Sequence, residues 1–201
     1  MKIHILFGMI GFILLSGCNR AAEKNPRFYD AGVSRELAGH RKAQIKNLKY
    51  ELSFNIPRQK EVAIEGDITL RFDLASRQEV LIDFREEREK IKEVIANGVP
   101  VDKVRFENEH IILPASSTVE GANGIRIRFT AGNQSLNRND EYLYTLLVPD
   151  RARTVFPCFE QPNLKAEFTL QLELPADWKA VSNTYIRSET VTDDRKTVCF
   201  A

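Results

Sequence analysis

The side chains able to ligate a metal or attack an electrophile are few and scattered. Histidine occurs only at His4, His40 and His110, and cysteine at Cys18, Cys158 and Cys199. A zinc site built on one helix needs two imidazoles four residues apart with a carboxylate beside them, and no two of these histidines have that spacing. His40 stands beside the cations Arg41 and Lys42, a setting that reads as solvated helix surface rather than as a ligand. The knot Arg85-Glu-Glu-Arg-Glu-Lys90 offers carboxylates for a cation or for acid and base work. It reads more simply as a turn with local ion pairs, each worth under about 1 kcal/mol. Neither a Gly-rich phosphate loop nor a nucleophile elbow occurs. The sequence therefore shows no metal-ligand set, no cofactor motif and no catalytic residue of its own.

Cys18 has a different chemistry. Lys2 precedes an apolar run from Ile3 to Leu15 that ends in Leu15-Ser16-Gly17-Cys18. The run is short for a membrane span, and small residues before a cysteine suit a lipoprotein signal peptide whose thiol accepts diacylglycerol. The expectation is a leader over residues 1–17, lipid attachment at Cys18 and a polar tether over residues 18–31. The mature chain is then lipid-anchored to a bacterial membrane, facing the periplasm or the cell surface. Removing the leader takes Lys2 with it and leaves basic and acidic side chains equal in number, a balance that does not suggest a nucleic-acid partner.

The elements that must position any site follow from periodicity. Val33, Leu37, Ala38 and Ile45 share a helical stripe, with Ser34 placed to cap, which predicts one short helix between Val33 and Lys46. The period then changes to two. Leu48, Tyr50, Leu52, Phe54 and Ile56 alternate with polar residues, as do Ile64, Gly66, Ile68, Leu70, Phe72 and Leu74. Shorter runs succeed them at 80–84, 90–96, 101–106, 110–113 and 125–129, with a turn at Asn97-Gly98. Short strands punctuated by turns predict an all-β, antiparallel β-sandwich, and 43% apolar content is enough to give it a core. The amide-rich loop from Gly132 to Asp140 reads as a mobile surface segment.

The stretch from Tyr142 to Asn183 is the most informative. Pro149, Pro157 and Pro162 make its first half a rigid, looping crossover. Phe168, Leu170, Leu172 and Leu174 alternate into a strand that Pro175 and Asp177 end. Within it, Arg151-Ala-Arg-Thr-Val-Phe-Pro-Cys-Phe-Glu-Gln-Pro-Asn-Leu-Lys-Ala166, followed by Leu-Pro-Ala-Asp-Trp178 and Val-Ser-Asn183, resembles the aminopeptidase N (membrane alanyl aminopeptidase) family of zinc metallopeptidases. The likeness runs from about Gly32 to the last residue. It implies a saddle-like N-terminal β domain over residues 32–201 that covers one side of the active-site cleft and carries neither the zinc nor the general base. Glu160-Gln161-Pro162 stands where the family usually has Asp-Glu-Pro.

The resemblance also implies a position, Val148, where family members usually place a Gln or Glu that holds the substrate's amine. Valine cannot accept that hydrogen bond, so Val148 is expected only to line an apolar wall of the cleft. An X-Pro bond is cis in about 5% of cases, and the resemblance raises that frequency at Val148–Pro149 without making cis the rule. Cys158 corresponds to a cysteine that the family commonly keeps buried and unpaired, although an oxidising compartment leaves a Cys158–Cys199 bridge open. The family's Gly-x-Met-x-Asn motif is absent, since the only methionines are Met1 and Met9. The resemblance thus implies a domain whose cofactor, zinc, and whose chemistry belong to a catalytic domain on the same or an adjacent polypeptide, with peptide substrates reached through that partner. The alternative is a free-standing lipoprotein β-sandwich that binds or interacts without enzymatic activity.

Overall fold

A computed structural model describes residues 27–201 except Lys103; the leader, Cys18 and the tether to residue 26 lie outside these residues. Ser34 caps the one helix, α1 (Arg35–Gln44), its Oγ accepting from Leu37 N–H at 3.0 Å. The helix stops short of Lys46 because Ile45 turns extended and pairs with Leu74. The strands are β1 (Ile45–Asn55), β2 (Glu65–Leu74), β3 (Val80–Asp83), β4 (Ile91–Ala96), β5 (Val99–Pro100), β6 (Arg105–Glu107) and β7 (His110–Leu113). Then come β8 (Gly121–Thr130), β9 (Leu136–Arg138), β10 (Leu143–Thr145), β11 (Glu167–Pro175), β12 (Ile186–Thr192) and β13 (Arg195–Phe200). The fold is all-β with one short helix, as the alternation predicts.

The large sheet has eight strands in the order β12-β13-β11-β1-β2-β8-β4-β5. Its pairings are antiparallel except β1 with β11, which run parallel with Leu52 opposite Leu170. Periodicity alone cannot show this, because the long excursion between the two strands decides their relative direction. Its outer face carries cross-strand ion pairs, among them Glu51–Arg71 at 2.7 Å and Asp67–Arg126 at 2.6 Å, which accounts for the charges alternating with the apolar residues. Its inner face packs against a three-stranded sheet, β3-β7-β6. Every residue of β3 and β7 is buried. Val80, Ile82, Ile111 and Leu113 join the main core, while Leu81 and Ile112 turn the other way to meet Leu37 of α1 and Phe28.

Among the described residues, the main core is drawn from those between Ile45 and Phe200. Residues 27–30 are already docked on it: Asn108 Nδ2 donates to Tyr29 O at 2.8 Å, and His110 Nε2 lies 2.9 Å from Asp30 O. Gly66 is a tightly packed point of the core, since a Cβ there would meet the Phe129 ring at 2.3 Å. Gly66→Ala is expected to lower stability by about 1–3 kcal/mol through overpacking. Chemical denaturation should show this as a lower midpoint with an unchanged slope.

Candidate functional site

The crossover from Leu146 to Ala166 is held from beneath by one buried carboxylate. Asp83 sits at the end of β3 on the side facing α1, wholly buried. Arg41 reaches down from α1 as a two-pronged fork, Nη1 to Oδ2 at 2.7 Å and Nη2 to Oδ1 at 2.6 Å. His110 Nδ1 lies 2.9 Å from Oδ1, and Glu160 N–H donates to Oδ2 at 2.8 Å. Asp83 also exchanges backbone hydrogen bonds with Cys158. Burial alone would raise the Asp83 carboxyl, but the Arg41 charge, with the hydrogen bonds from His110, Arg41 and Glu160 N–H, holds it below the ordinary carboxylate range.

Around this anchor the motif residues are structural. Burial pushes the Cys158 thiol well up, and the carboxylates of Glu160 and Asp83 push the same way, so the sulfur stays protonated and unreactive. Cys158 and Cys199 are both unpaired, so the open question of a bridge resolves to free thiols. Phe159 N–H donates to the Tyr50 hydroxyl at 2.9 Å. Glu160 accepts from Arg153 N–H at 2.7 Å, and Arg153, itself buried, pairs with Asp150 at 3.0 Å. His40, read as solvated, is half-buried, with its ring 4.7 Å from Phe28 and Nε2 at 2.6 Å from Gln78 Oε1. The Arg85–Lys90 knot is a set of ion pairs, Lys90–Glu86 at 2.6 Å and Arg85–Glu109 at 3.1 Å.

The surface that this frame presents runs from Tyr142 to Val148. The loop expected to be mobile instead forms a hairpin, β9 pairing with β10 through Asn137 and Tyr144. Arg138 fixes it from a distance, donating to Val62 O at 3.0 Å, to Gln59 O at 2.8 Å and to Pro57 O. Leu143 and Leu147 pack inward against the core. Their neighbours point out: Tyr142 is 54% exposed, Tyr144 46%, Leu146 56% and Val148 84%. The Val148–Pro149 bond that ends the run is cis. Sequence reasoning singled out Val148 but missed Tyr142, Tyr144 and Leu146, although their alternation was visible. It also missed Arg41, Asp83 and His110. The signal there was a charged residue inside the apolar run Val80-Leu-Ile-Asp-Phe84, which demands a buried partner.

Residues 46–201 match the family described as the peptidase M1 N-terminal domain. This chain belongs to that family. The aminopeptidase N of Streptomyces lividans is 32% identical over 166 residues, a match that covers 76% of this chain and 19% of that protein. The glutamyl aminopeptidase of Sus scrofa is 44% identical over 46 residues, covering 23% of this chain and 5% of its own length. The crystal structure of the M1 zinc metallopeptidase from Deinococcus radiodurans superposes with a TM-score of 0.65 at 19% identity, over 78% of this chain and 38% of that one. Native yeast LTA4 hydrolase gives 0.64 at 19% identity, over 79% and 27%. These two likenesses show the fold alone. The peptidase M1 N-terminal domain thus spans about a fifth of the curated aminopeptidase N that it matches.

Zinc, which the resemblance to the aminopeptidase N family implies, does not fit the described residues. Among the described residues of this M1 N-terminal domain, no group of three or more His, Cys, Asp or Glu is placed to hold a metal. Both ring nitrogens of His110 are already taken up, by Asp83 and by the Asp30 carbonyl.

Proposed function

We propose that this chain is the substrate-cleft domain of a lipid-anchored bacterial zinc aminopeptidase, an enzyme that removes N-terminal amino acids from peptides. In this reading the zinc and the general base come from a catalytic domain on the same or an adjacent polypeptide, and this domain supplies one wall of the cleft. The observation that carries it is the match of residues 46–201 to the peptidase M1 N-terminal domain. The strip ending at Val148 supports the assignment of a wall, since it is exposed, apolar and rigidly backed. Val148 lines the cleft without holding the substrate amine, because it has no acceptor to offer.

Reading the DNA beyond codon 201 tests the proposal. A frame encoding Gly-x-Met-x-Asn and His-Glu-x-x-His supports it; a stop followed by unrelated sequence favours a free-standing binding module instead. The anchor has its own test. Mass spectrometry of the membrane fraction should find a diacylated N-terminus at Cys18, and Cys18→Ala should leave the leader uncleaved. An unmodified chain beginning at Met1 contradicts lipidation.

A further inference from the structure

A pocket of about 230 Å³ opens where α1 and the N-terminal segment lie over the loop between β2 and β3. It follows the seam between two apolar clusters, since its walls combine Leu37, Leu81 and Phe28 of the smaller cluster with Leu74 and Phe159 of the main core. Apolar cavities of about 150 Å³ take up benzene, so this space suits one ring or branched chain of that size or somewhat larger. Moving an apolar body from water onto such walls is the source of affinity.

One polar side chain in the wall sets the chemistry. Arg41 is 3% exposed, its guanidinium carbon lies 5.2 Å from the centroid of the Phe159 ring, and its two terminal nitrogens are committed to Asp83 and the Leu81 carbonyl. Its Nε is the one buried side-chain atom lining the pocket that has no partner among the described residues. A buried N–H left unpaired costs its full desolvation, and an acceptor on a ligand removes that cost. The groups at the mouth are matched with one another: His40 Nε2 lies 2.6 Å from Gln78 Oε1, Gln78 Nε2 donates to Gln44 Oε1 at 2.8 Å, and the Tyr29 hydroxyl donates to Glu79. An anion gains little, since both oxygens of Asp83 already answer the Arg41 charge and Glu79 adds negative charge at the rim. An ammonium group has no acceptor to offer Nε. A neutral molecule with one acceptor meets both requirements.

We infer that this pocket is a binding site for one small neutral molecule with an apolar body of about six to ten heavy atoms and a single hydrogen-bond acceptor, for which Arg41 Nε is the donor. The occupant lies between Phe28 of the N-terminal segment and Phe159 of the crossover, and it completes the hydrogen bonding of the same guanidinium that holds Asp83.

The isotope-labelled 201-residue chain is titrated with cyclohexanone, with methylenecyclohexane, which has the same shape without the oxygen, and with cyclohexanecarboxylate. Cyclohexanone should bind saturably with a Kd on the order of 1 mM, moving the amide signals of Leu37, Leu74 and Leu81 and the Nε–H signal of Arg41. Methylenecyclohexane should bind about tenfold more weakly and shift the Nε–H signal less, and the carboxylate should bind no better than the hydrocarbon. Variants of Arg41 itself also strand Asp83, so the pocket is narrowed from its mouth instead. Gln78→Phe, outside the apolar core, should abolish the cyclohexanone response while the spectrum of the free protein stays dispersed. Equal affinity for ketone and hydrocarbon, tighter binding of the carboxylate, shifts that avoid these residues or a response that does not saturate each overturns the inference. A dispersed Gln78→Phe chain that binds cyclohexanone unchanged overturns it as well, and the comparison of the three ligands on the wild-type chain decides the matter if that variant does not fold.

Discussion

Asp83→Ala should remove about 3–5 kcal/mol of folding stability, because it strands the buried Arg41 guanidinium without its partner. A domain of this size has on the order of 5–15 kcal/mol in all, so the variant loses a large share of it and should unfold at a much lower denaturant midpoint than wild type. The loss is larger than for an ordinary ion pair, since Asp83 also receives Glu160 N–H at 2.8 Å and faces His110 Nδ1 at 2.9 Å. The same carboxylate predicts a pH dependence. Its pKa is lowered in the folded state, so its contribution is fully present above the unfolded carboxyl value of about 3.9 and is lost as pH falls through the folded value. Denaturant titrations repeated from neutral pH to about pH 3 should show the wild-type chain losing stability at the acid end. Asp83→Asn, which keeps the shape without the charge, should start lower and show a flatter acid limb. An unchanged acid limb would count against the role given to Asp83.

Gly132→Ala is the second large effect, expected near the upper end of about 1–3 kcal/mol. A Cβ at Gly132 would lie 2.0 Å from the Thr154 carbonyl oxygen and 2.1 Å from Glu86 Oε1. The first of these is backbone and has little room to yield, while Gly132 N–H itself donates to Val155 O at 3.2 Å. Relief therefore requires the 132–135 segment to lift away from the crossover, which takes Ser135 from its contacts with Thr154 and Leu146. The variant should melt earlier than wild type. Its hydrogen-exchange protection should fall most at residues 135–147, ahead of the eight-stranded sheet. Uniform loss of protection would show that the hairpin is not fastened through this contact.

Much of the fold was legible because the information was local. The alternation from Leu48 to Leu74 has one buried face, and Ser34 caps α1 as its position predicts. Asn97 and Gly98 both take positive φ at the turn between β4 and β5. What was not legible depends on partners far apart in sequence. The parallel pairing of β1 with β11 joins segments more than a hundred residues apart. The β9–β10 hairpin looked like mobile loop, since its composition is amide-rich and its main fastening is Arg138 reaching carbonyls near residue 60. Asp83 and His110 each sit in apolar runs whose two faces are both covered, so no period marks them. Val148 was named from the resemblance, whereas the exposed Tyr142, Tyr144 and Leu146 that alternate with it were not.

The central claim is that this domain works only with a zinc-bearing partner, and a chromogenic aminoacyl anilide assay tests it most directly. Purified residues 19–201 are assayed alone and then with the catalytic domain joined or added, with metal analysis of both samples. The account predicts no turnover and no stoichiometric zinc for the domain alone. It predicts turnover that a chelator abolishes and zinc restores once the catalytic domain is present. Chelator-sensitive, zinc-restored turnover by residues 19–201 alone would contradict it, because a metal site would then exist where the described residues bring no ligand set together.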